Sequence, residues 1–262
     1  MTRTSYRTAF EIMSRDTDIH DKATPSCLSR LMMDTARHQM RDRKPTYEEL
    51  FAQGKSFVLV RLAVEIYQDM HVDDCVEVHT WACPTKGVTF PRCFRIEREG
   101  VLISRAYSEW AVADRIKGGL CRASEVDLSR YETDEPYQLS IPVRFRLSKD
   151  KVWKEIGTHQ VMYSEVDRNM HMNNTFYPNM LWNRIPEIET KKVTAFSLHF
   201  WTEAPLHADI RIERCREKVL LSEDASQKKF AEAEEKSRET WFFRTWVGRD
   251  KNCEALVYTE RL

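Results

Sequence analysis

Three polar residues of different chemistry stand at alternate positions in one short stretch of this chain: Asp167, Asn169 and His171, within SEVDRNMHMNN at 164–174. If the stretch is extended, positions i, i+2 and i+4 project from one side and bring a carboxylate, an amide and an imidazole together. A carboxylate beside an imidazole can activate water or shuttle a proton. A helix that begins just after them adds free N–H groups that can hold an oxyanion. The same residue types also build turns and helix caps, and spacing alone does not separate the two uses. One imidazole with no thiolate is a poor ligand set, so neither metal nor cofactor is expected.

The segments that must position these residues are mostly strands. Alternation of Val, Ile, Phe and Trp predicts strands at 57–67, 75–81, 89–98 and 101–113, after an initial strand and a helix. That helix opens with Thr24 as N-cap and Pro25 at its first position, and carries Leu28, Leu31, Met32 and Ala36 at helical spacing. Residues 115–150 break the rhythm with Gly118-Gly119, acidic and polar runs, and Pro136 and Pro142, the marks of a linker. The pattern then restarts. A strand is expected at 160–164, followed by a helix capped by Asn174 that holds Phe176, Tyr177, Met180, Leu181 and Ile185 and ends at Pro186. Strands follow at 193–201, 209–215, 240–247 and 254–260, with a charged insertion at 218–238.

The restart reads as an internal repeat. Asp16, Asp18 and His20 match Asp167, Asn169 and His171 at an offset of 151, and Tyr107-Ser108-Glu109 matches Tyr258-Thr259-Glu260 at the same offset. Between them, Asp74-Cys75-Val76 aligns with Asp209-Ile210-Arg211 at 135, which sets Gln68 against Glu203. The first copy then has an acid in place of the amide and no second carboxylate, as suits one active and one structural copy. The expected domains are 1–114, a linker at 115–150, and 151–262. Each half is one helix buried against an antiparallel sheet, an α+β class.

Composition removes other classes. Lys+Arg and Asp+Glu balance at 41 each, so there is no global basic field for nucleic acid. GxGxxG, GxxxxGK[ST] and GxSxG are absent. The seven cysteines form no CxxC pair, which suggests reduced thiols in a cytoplasmic protein. No stretch approaches a membrane span.

The run from Asp167 to Asn174 resembles the DxNxHxNN motif of acyl-acyl-carrier-protein (acyl-ACP) thioesterases of plants and bacteria, and the resemblance extends over the chain, including SEWAVAD at 108–114. It implies a double hotdog fold, each sheet wrapping a central helix. It also implies catalytic roles for Asp167, Asn169, His171 and Glu203, the last within HFWTEAP. Many plant members have a cysteine after that glutamate; here Ala204 stands there, which favours direct attack by water, with Asp167 or Glu203 as base. Leu28, Leu31, Met32 and Met33 of the first helix, with Asn174, are the implied substrate-binding set. The implied partner is an acidic carrier protein bearing a fatty acyl chain. Arg211, Arg214, Arg216 and Lys218, or Arg37, Arg41, Arg43 and Lys44, are the candidate docking patches, and further pairing into a homodimer is left open. The rival readings are a hotdog acyl-CoA thioesterase, a non-catalytic acyl-binding module, and a related hydratase or dehydratase.

Overall fold

The computed structural model describes residues 5–148, 151–218 and 238–262. Its first half runs β1 (Tyr6–Glu11), α1 (Pro25–Asp42), α2 (Tyr47–Ala52), β2 (Lys55–Ile66), β3 (Cys75–Ala82), β4 (Phe90–Arg98) and β5 (Val101–Asp114). The second half runs β6 (Lys154–Gln160), α3 (Tyr177–Trp182), β7 (Lys191–Phe200), β8 (Asp209–Lys218), β9 (Glu239–Val247) and β10 (Asp250–Arg261). All ten strands join one antiparallel sheet in the order β1-β3-β4-β5-β2-β7-β10-β9-β8-β6, so the second half repeats the first in reverse. This is the double hotdog.

The halves meet where β2 pairs with β7. Arg61 lies opposite His199, Ala63 opposite Ser197 and Glu65 opposite Ala195, so the pairing is centred on Ala63 and Ser197. On the concave side, α1 and α3 bury Leu28, Leu31, Met32, Met180 and Leu181 against Leu62, Val64, Phe196 and Leu198 in one core common to both halves. Helix α1 starts as its sequence dictates. Thr24 Oγ1 accepts the N–H of Cys27 at 3.2 Å, with Pro25 at the first position. Such a cap is worth about 1 kcal/mol. By contrast α3 has only six residues, entered through a 3₁₀ turn at Asn174–Phe176, and Ile185 lies beyond its end.

Two expectations shift. The strand expected at 160–164 lies earlier, at Lys154–Gln160, because Tyr163–Glu165 turns to close the next loop. Strand β6 slips by one residue between Glu155 and Gly157, where Gly157 takes a φ of 129°. The charged insertion at 218–238 falls almost wholly outside the described residues.

The linker is a strap across the convex face. Ile141 packs on Ala63 and Ala195, over the centre of the β2–β7 pairing. The Trp81 indole donates to the Glu135 carbonyl at 3.2 Å, and Ser197 Oγ donates to the Pro142 carbonyl at 2.7 Å. Arg144 and Arg61 both grip the buried Glu109 carboxylate, at 2.7 and 2.6 Å. The sheet is therefore covered on both faces at its centre, where the apolar runs of β2 and β7 need it.

Glu65 anchors the strap by accepting from the Ser140 backbone N–H at 2.6 Å, the Ser140 hydroxyl, and Tyr67 Oη at 2.5 Å. Burial pushes its carboxyl up, but these hydrogen bonds outweigh burial and hold it below the ordinary value of 4.5. Its contribution to stability is therefore fully present above the unfolded-state value and is lost as pH falls through the folded-state value. Glu65→Gln should flatten this part of the acid limb when urea unfolding free energy is measured from pH 6 to pH 3. An unchanged slope would remove Glu65 as the acid-sensitive anchor.

Candidate active site

The loop carrying Asp167, Asn169 and His171 is closed by its own backbone. Asp167 N–H donates to the His171 carbonyl at 3.2 Å and Met170 N–H donates to the Asp167 carbonyl at 2.9 Å. The Asn169 N–H donates to Asp167 Oδ1 at 2.8 Å. Met170 turns the corner at φ 68°. The first half builds the same loop. Asp18 N–H donates to the Lys22 carbonyl, Asp21 N–H to the Asp18 carbonyl, and His20 N–H to Asp18 Oδ1, with Asp21 at φ 56°.

Every one of these pairs is 149 positions apart, as are the hairpin pairings Arg98↔Val101 and Val247↔Asp250. The repeat is real, but the offset of 151 is corrected to 149. Asp18, His20 and Lys22, not Asp16, Asp18 and His20, correspond to Asp167, Asn169 and His171. Asp16 corresponds instead to Glu165, and both bond the backbone N–H three residues back. The slip has a plain cause: Asp16 and Asp18 lie two apart, and a two-residue shift keeps every side chain on the same face.

Strands β2 and β3 are displaced by 134 rather than 135, since Ser104↔Ile66 in one half matches Cys253↔Phe200 in the other. Glu203 therefore corresponds to Asp69, not Gln68, and the first copy has kept its second carboxylate. His171 Nε2 lies 3.2 Å from Glu203 Oε1, where the first half has Lys22 Nζ 3.1 Å from Asp69. An imidazole–carboxylate pair in one copy is an ammonium–carboxylate ion pair in the other.

The comparison separates the two carboxylates. Asp18 accepts the same N–H in the half that has His20 in place of the amide and Lys22 in place of the imidazole, so this bond forms the loop in both copies. Glu203 is 62% exposed, while His171 beneath it is 21% exposed. Two of the expected N–H groups, those of Thr175 and Phe176, are occupied. Asn173, rather than Asn174, caps the turn: its Oδ1 accepts from Thr175 N–H at 3.0 Å and its carbonyl accepts from Phe176 N–H. The exposed Asn169 is the amide two residues before His171.

What holds Glu203 is a buried network that residue types and spacing did not reveal. Asn252 is fully buried and its Nδ2 donates to the Thr202 carbonyl at 2.7 Å and to Tyr177 Oη at 2.9 Å. Thr245 Oγ1 donates to Asn252 Oδ1 at 2.9 Å. At the corrected offset, Tyr177, Asn252 and Thr245 face Leu28, Ile103 and Ile96, three polar-for-apolar exchanges on one side of the duplication. Those exchanges were the available signal. Ala204 is 1% exposed within the shared core, and its carbonyl accepts Met172 N–H at 2.8 Å. A side chain at 204 packs into the core.

The first half also reaches the motif. The Arg168 guanidinium lies over Phe51 at 4.4 Å and Tyr47 at 5.1 Å, both on α2. Arg115 lies over Phe51 at 3.9 Å and Arg37 over Tyr47 at 5.7 Å. A small apolar cavity of about 40 Å³ is lined by Met40, Phe57, Phe90 and Trp110 of the first half. Of the implied substrate-binding set, Leu31 and Met32 are buried core, Met33 packs beside it, and Asn174 sits in the 3₁₀ turn. Leu28 lines a larger cavity at Lys22 and Asp69, beside the first-half loop. Neither expected docking patch is an open field of charge: Arg41, Arg43 and Lys44 pair with Asp42, Glu132 and Glu49, and Arg211 and Arg216 with Glu213 and Glu239. Lys218 is described in backbone only. The buried His199 packs on Trp201, with ring centroids 4.2 Å apart.

Residues 3–126 match the family model of the acyl-ACP thioesterase N-terminal domain. The chain is 24% identical over 219 residues to oleoyl-acyl carrier protein thioesterase 2, chloroplastic, of Arabidopsis thaliana. That match covers 76% of this chain and 59% of the relative, so the chain spans under two thirds of the relative's length. Among solved structures, an oleoyl thioesterase of Lactobacillus plantarum superposes with a TM-score of 0.80 at 17% identity, covering 100% of this chain and 98% of the other. An acyl-ACP thioesterase of Bacteroides thetaiotaomicron gives 0.78 at 19% identity, with 97% of each chain covered. The resemblance to this family is borne out by the family model over residues 3–126 and by the match over 219 residues, and the solved structures share the fold. Among the described residues, no helix is long and apolar enough to cross a membrane.

Asn252→Ala leaves the buried Tyr177 hydroxyl and the Thr202 carbonyl without the Asn252 donor, and a buried group left unpaired costs about 1–3 kcal/mol. The variant should lose about 2–3 kcal/mol of unfolding free energy in urea titration. A change within about 0.5 kcal/mol, the range of a neutral surface substitution, would mean that the network does not hold the loop.

Proposed function

We propose that this protein hydrolyses the thioester of fatty acyl-ACP, releasing free fatty acid. The observation that carries the proposal is the His171–Glu203 pair, 3.2 Å apart, with His171 two residues after Asn169 on a loop closed by backbone bonds and Glu203 next to the carbonyl that Asn252 holds. The matches to acyl-ACP thioesterases support the substrate class. In this reading the halves divide as 1–114 and 151–262, with 115–150 as the strap between them. The seven free cysteines, five of them buried, are in keeping with a cytoplasmic protein.

Glu203 takes a proton from water as the water oxygen attacks the thioester carbonyl carbon. The Asn169 side-chain amide donates to the carbonyl oxygen as it gains charge. The carbon–sulfur bond then breaks, and the proton passes from Glu203 through His171 to the departing thiolate. The fatty acid remains and gives its own proton to solvent, leaving as the carboxylate. Asp167 positions Asn169 through its N–H and takes no proton. No acyl-cysteine forms, because position 204 is alanine and its side chain faces the core. The acyl chain extends into the first half, toward the cavity at Met40, Phe57, Phe90 and Trp110, which opens further as these side chains turn.

Glu203→Gln and Asn169→Ala should each lower kcat by roughly 100-fold, the scale of removing a positioned base or an oxyanion donor. Free fatty acid released from acyl-ACPs of graded length is the readout. Wild-type protein that leaves every acyl-ACP intact, or variants that keep near-wild-type turnover, would rule the site out.

The carrier would approach Arg37, Arg115 and Arg168 around α2, where no carboxylate pairs with these arginines among the described residues. Arg37→Glu with Arg115→Glu should raise KM for acyl-ACP about tenfold, about 1.4 kcal/mol, and leave acyl-pantetheine hydrolysis within about twofold. Equal effects on both substrates would move the docking surface elsewhere. Faster turnover of acyl-CoA than of acyl-ACP would favour the acyl-CoA thioesterase reading.

A further inference from the structure

The motif loop touches one element that the two halves do not share. Between its long helix and the strand at the twofold, the first half has α2, whereas the second half has a 3₁₀ turn at Ile188–Thr190. Helix α2 is fixed from three directions. Thr46 and Glu49 cap it reciprocally: Glu49 N–H donates to Thr46 Oγ1 at 3.2 Å, and Thr46 N–H donates to Glu49 Oε2 at 2.7 Å. Leu50 is buried in one apolar cluster with Phe90 and Val112. From the strap, Tyr131 Oη donates to the Pro45 carbonyl at 2.6 Å. A helix too short to be stable alone is thereby held as a fixed platform.

Tyr47 and Phe51 stand one turn apart on this platform, and their rings stack with centroids 5.9 Å apart. The Arg168 guanidinium reaches them from the other half and lies over both, at 5.1 and 4.4 Å. A guanidinium is attracted to the electron-rich face of a ring at these distances. Arg168 stands between Asp167, whose carboxylate closes the loop, and Asn169, whose exposed amide takes its direction from the backbone that carries it. Anchoring the Arg168 side chain therefore anchors the peptide that aims the amide.

The first-half loop shows why the tether falls at this position. There Ile19 takes the place of Arg168, carries no cation and is 79% exposed. That loop is held across the halves by His20, the residue at the amide's own place, which bonds the Glu189 carbonyl at 2.7 Å. An amide that is to hold a thioester oxygen has to stay free. In the motif loop the tether has moved one residue back, from the amide to its neighbour.

We propose that Arg168 is a positioning residue for the hydrolysis: stacked on Tyr47 and Phe51, it lets α2 of the first half hold Asn169 in register with the His171–Glu203 pair. The proposal rests on the hydrolytic reading of the motif. Its consequence concerns rate rather than binding. An oxyanion donor that drifts loses transition-state stabilisation, while the ground-state thioester keeps its seat. Leu50 joins α2 to Phe90, which lines the small apolar cavity, so the platform that aims the amide is continuous with the walls proposed for the acyl chain.

The test uses acyl-pantetheine, which carries no protein and so is blind to docking, with acyl-ACP measured in parallel. Phe51→Leu and Arg168→Met should each lower kcat on acyl-pantetheine about tenfold and leave KM within about twofold. Phe51→Tyr, which keeps a ring under the guanidinium, should hold kcat within about twofold of wild type. Combining Phe51→Leu with Arg168→Met should slow turnover no further than either change alone, as expected of two partners in one contact. Hydrogen exchange at the Asp167 and Met170 amides, whose bonds close the loop, should quicken about fivefold in both single variants. Arg168 is exposed, so Arg168→Met serves if Phe51→Leu does not fold. Unchanged kcat, or losses that multiply in the double variant, would overturn the proposal. Effects confined to acyl-ACP would make Arg168 a docking residue and overturn it too. Wild-type protein that releases no fatty acid would sink the hydrolytic reading, and exchange then shows whether the tether holds the loop. Wild-type turnover with exchange and kcat unchanged in the variants sinks the tether alone.

Discussion

The pairing of β2 with β7 is the constraint from which the rest follows. Centring the register on Ala63 and Ser197 relates the halves by a local twofold and carries the loop of each half to the helices of the other. Arg168 then stacks on α2, and His20 reaches the Glu189 carbonyl. Ser26 and Asn179 exchange hydrogen bonds at 3.3 and 3.0 Å across the axis. In the proposed site the polar groups come from one half and the apolar surroundings from the other.

Joining both halves in one chain frees them to diverge. In a dimer of identical subunits each substitution appears at both sites, so filling one cavity fills the other. Here the second half carries Tyr177, Asn252 and Thr245, a satisfied polar network that fixes the loop before Glu203. The first half keeps Leu28, Ile103 and Ile96 at those places and has an open cavity beside them. Polar order in one core and free volume in the other are two results of one set of exchanges.

The sequence made much of this legible, for physical reasons. Thr24-Pro25 is a cap with a stated partner, and α1 begins there. Alternation and apolar runs located β2 to β5 and β7 to β10 within a few residues, because these strands bury at least one face. Both failed for β6, an edge strand with no fully buried residue, where no face pattern exists to read. Helix α2 was missed because a six-residue helix carries too few turns for a period. The motif was found, but its copy was misplaced by two residues, a shift that alternation cannot detect. Matching the caps Thr24 and Asn173 would have given the true offset. The network behind Glu203 was invisible until the offset was right, since Asn252 and Tyr177 are 75 residues apart.

The β6 edge bears on how this protein behaves at high concentration. A ten-stranded sheet has two open margins, and an unpaired margin is a template on which another chain can add a strand. At β6 the ladder slips at Gly157, whose φ of 129° suits no other residue, so the edge is bent out of line. An incoming strand could pair with only a few residues before losing step. One glycine at the rim thus works as a stop against fibre growth. Replacing it with a residue that straightens the edge would trade a local irregularity for a surface open to polymerisation.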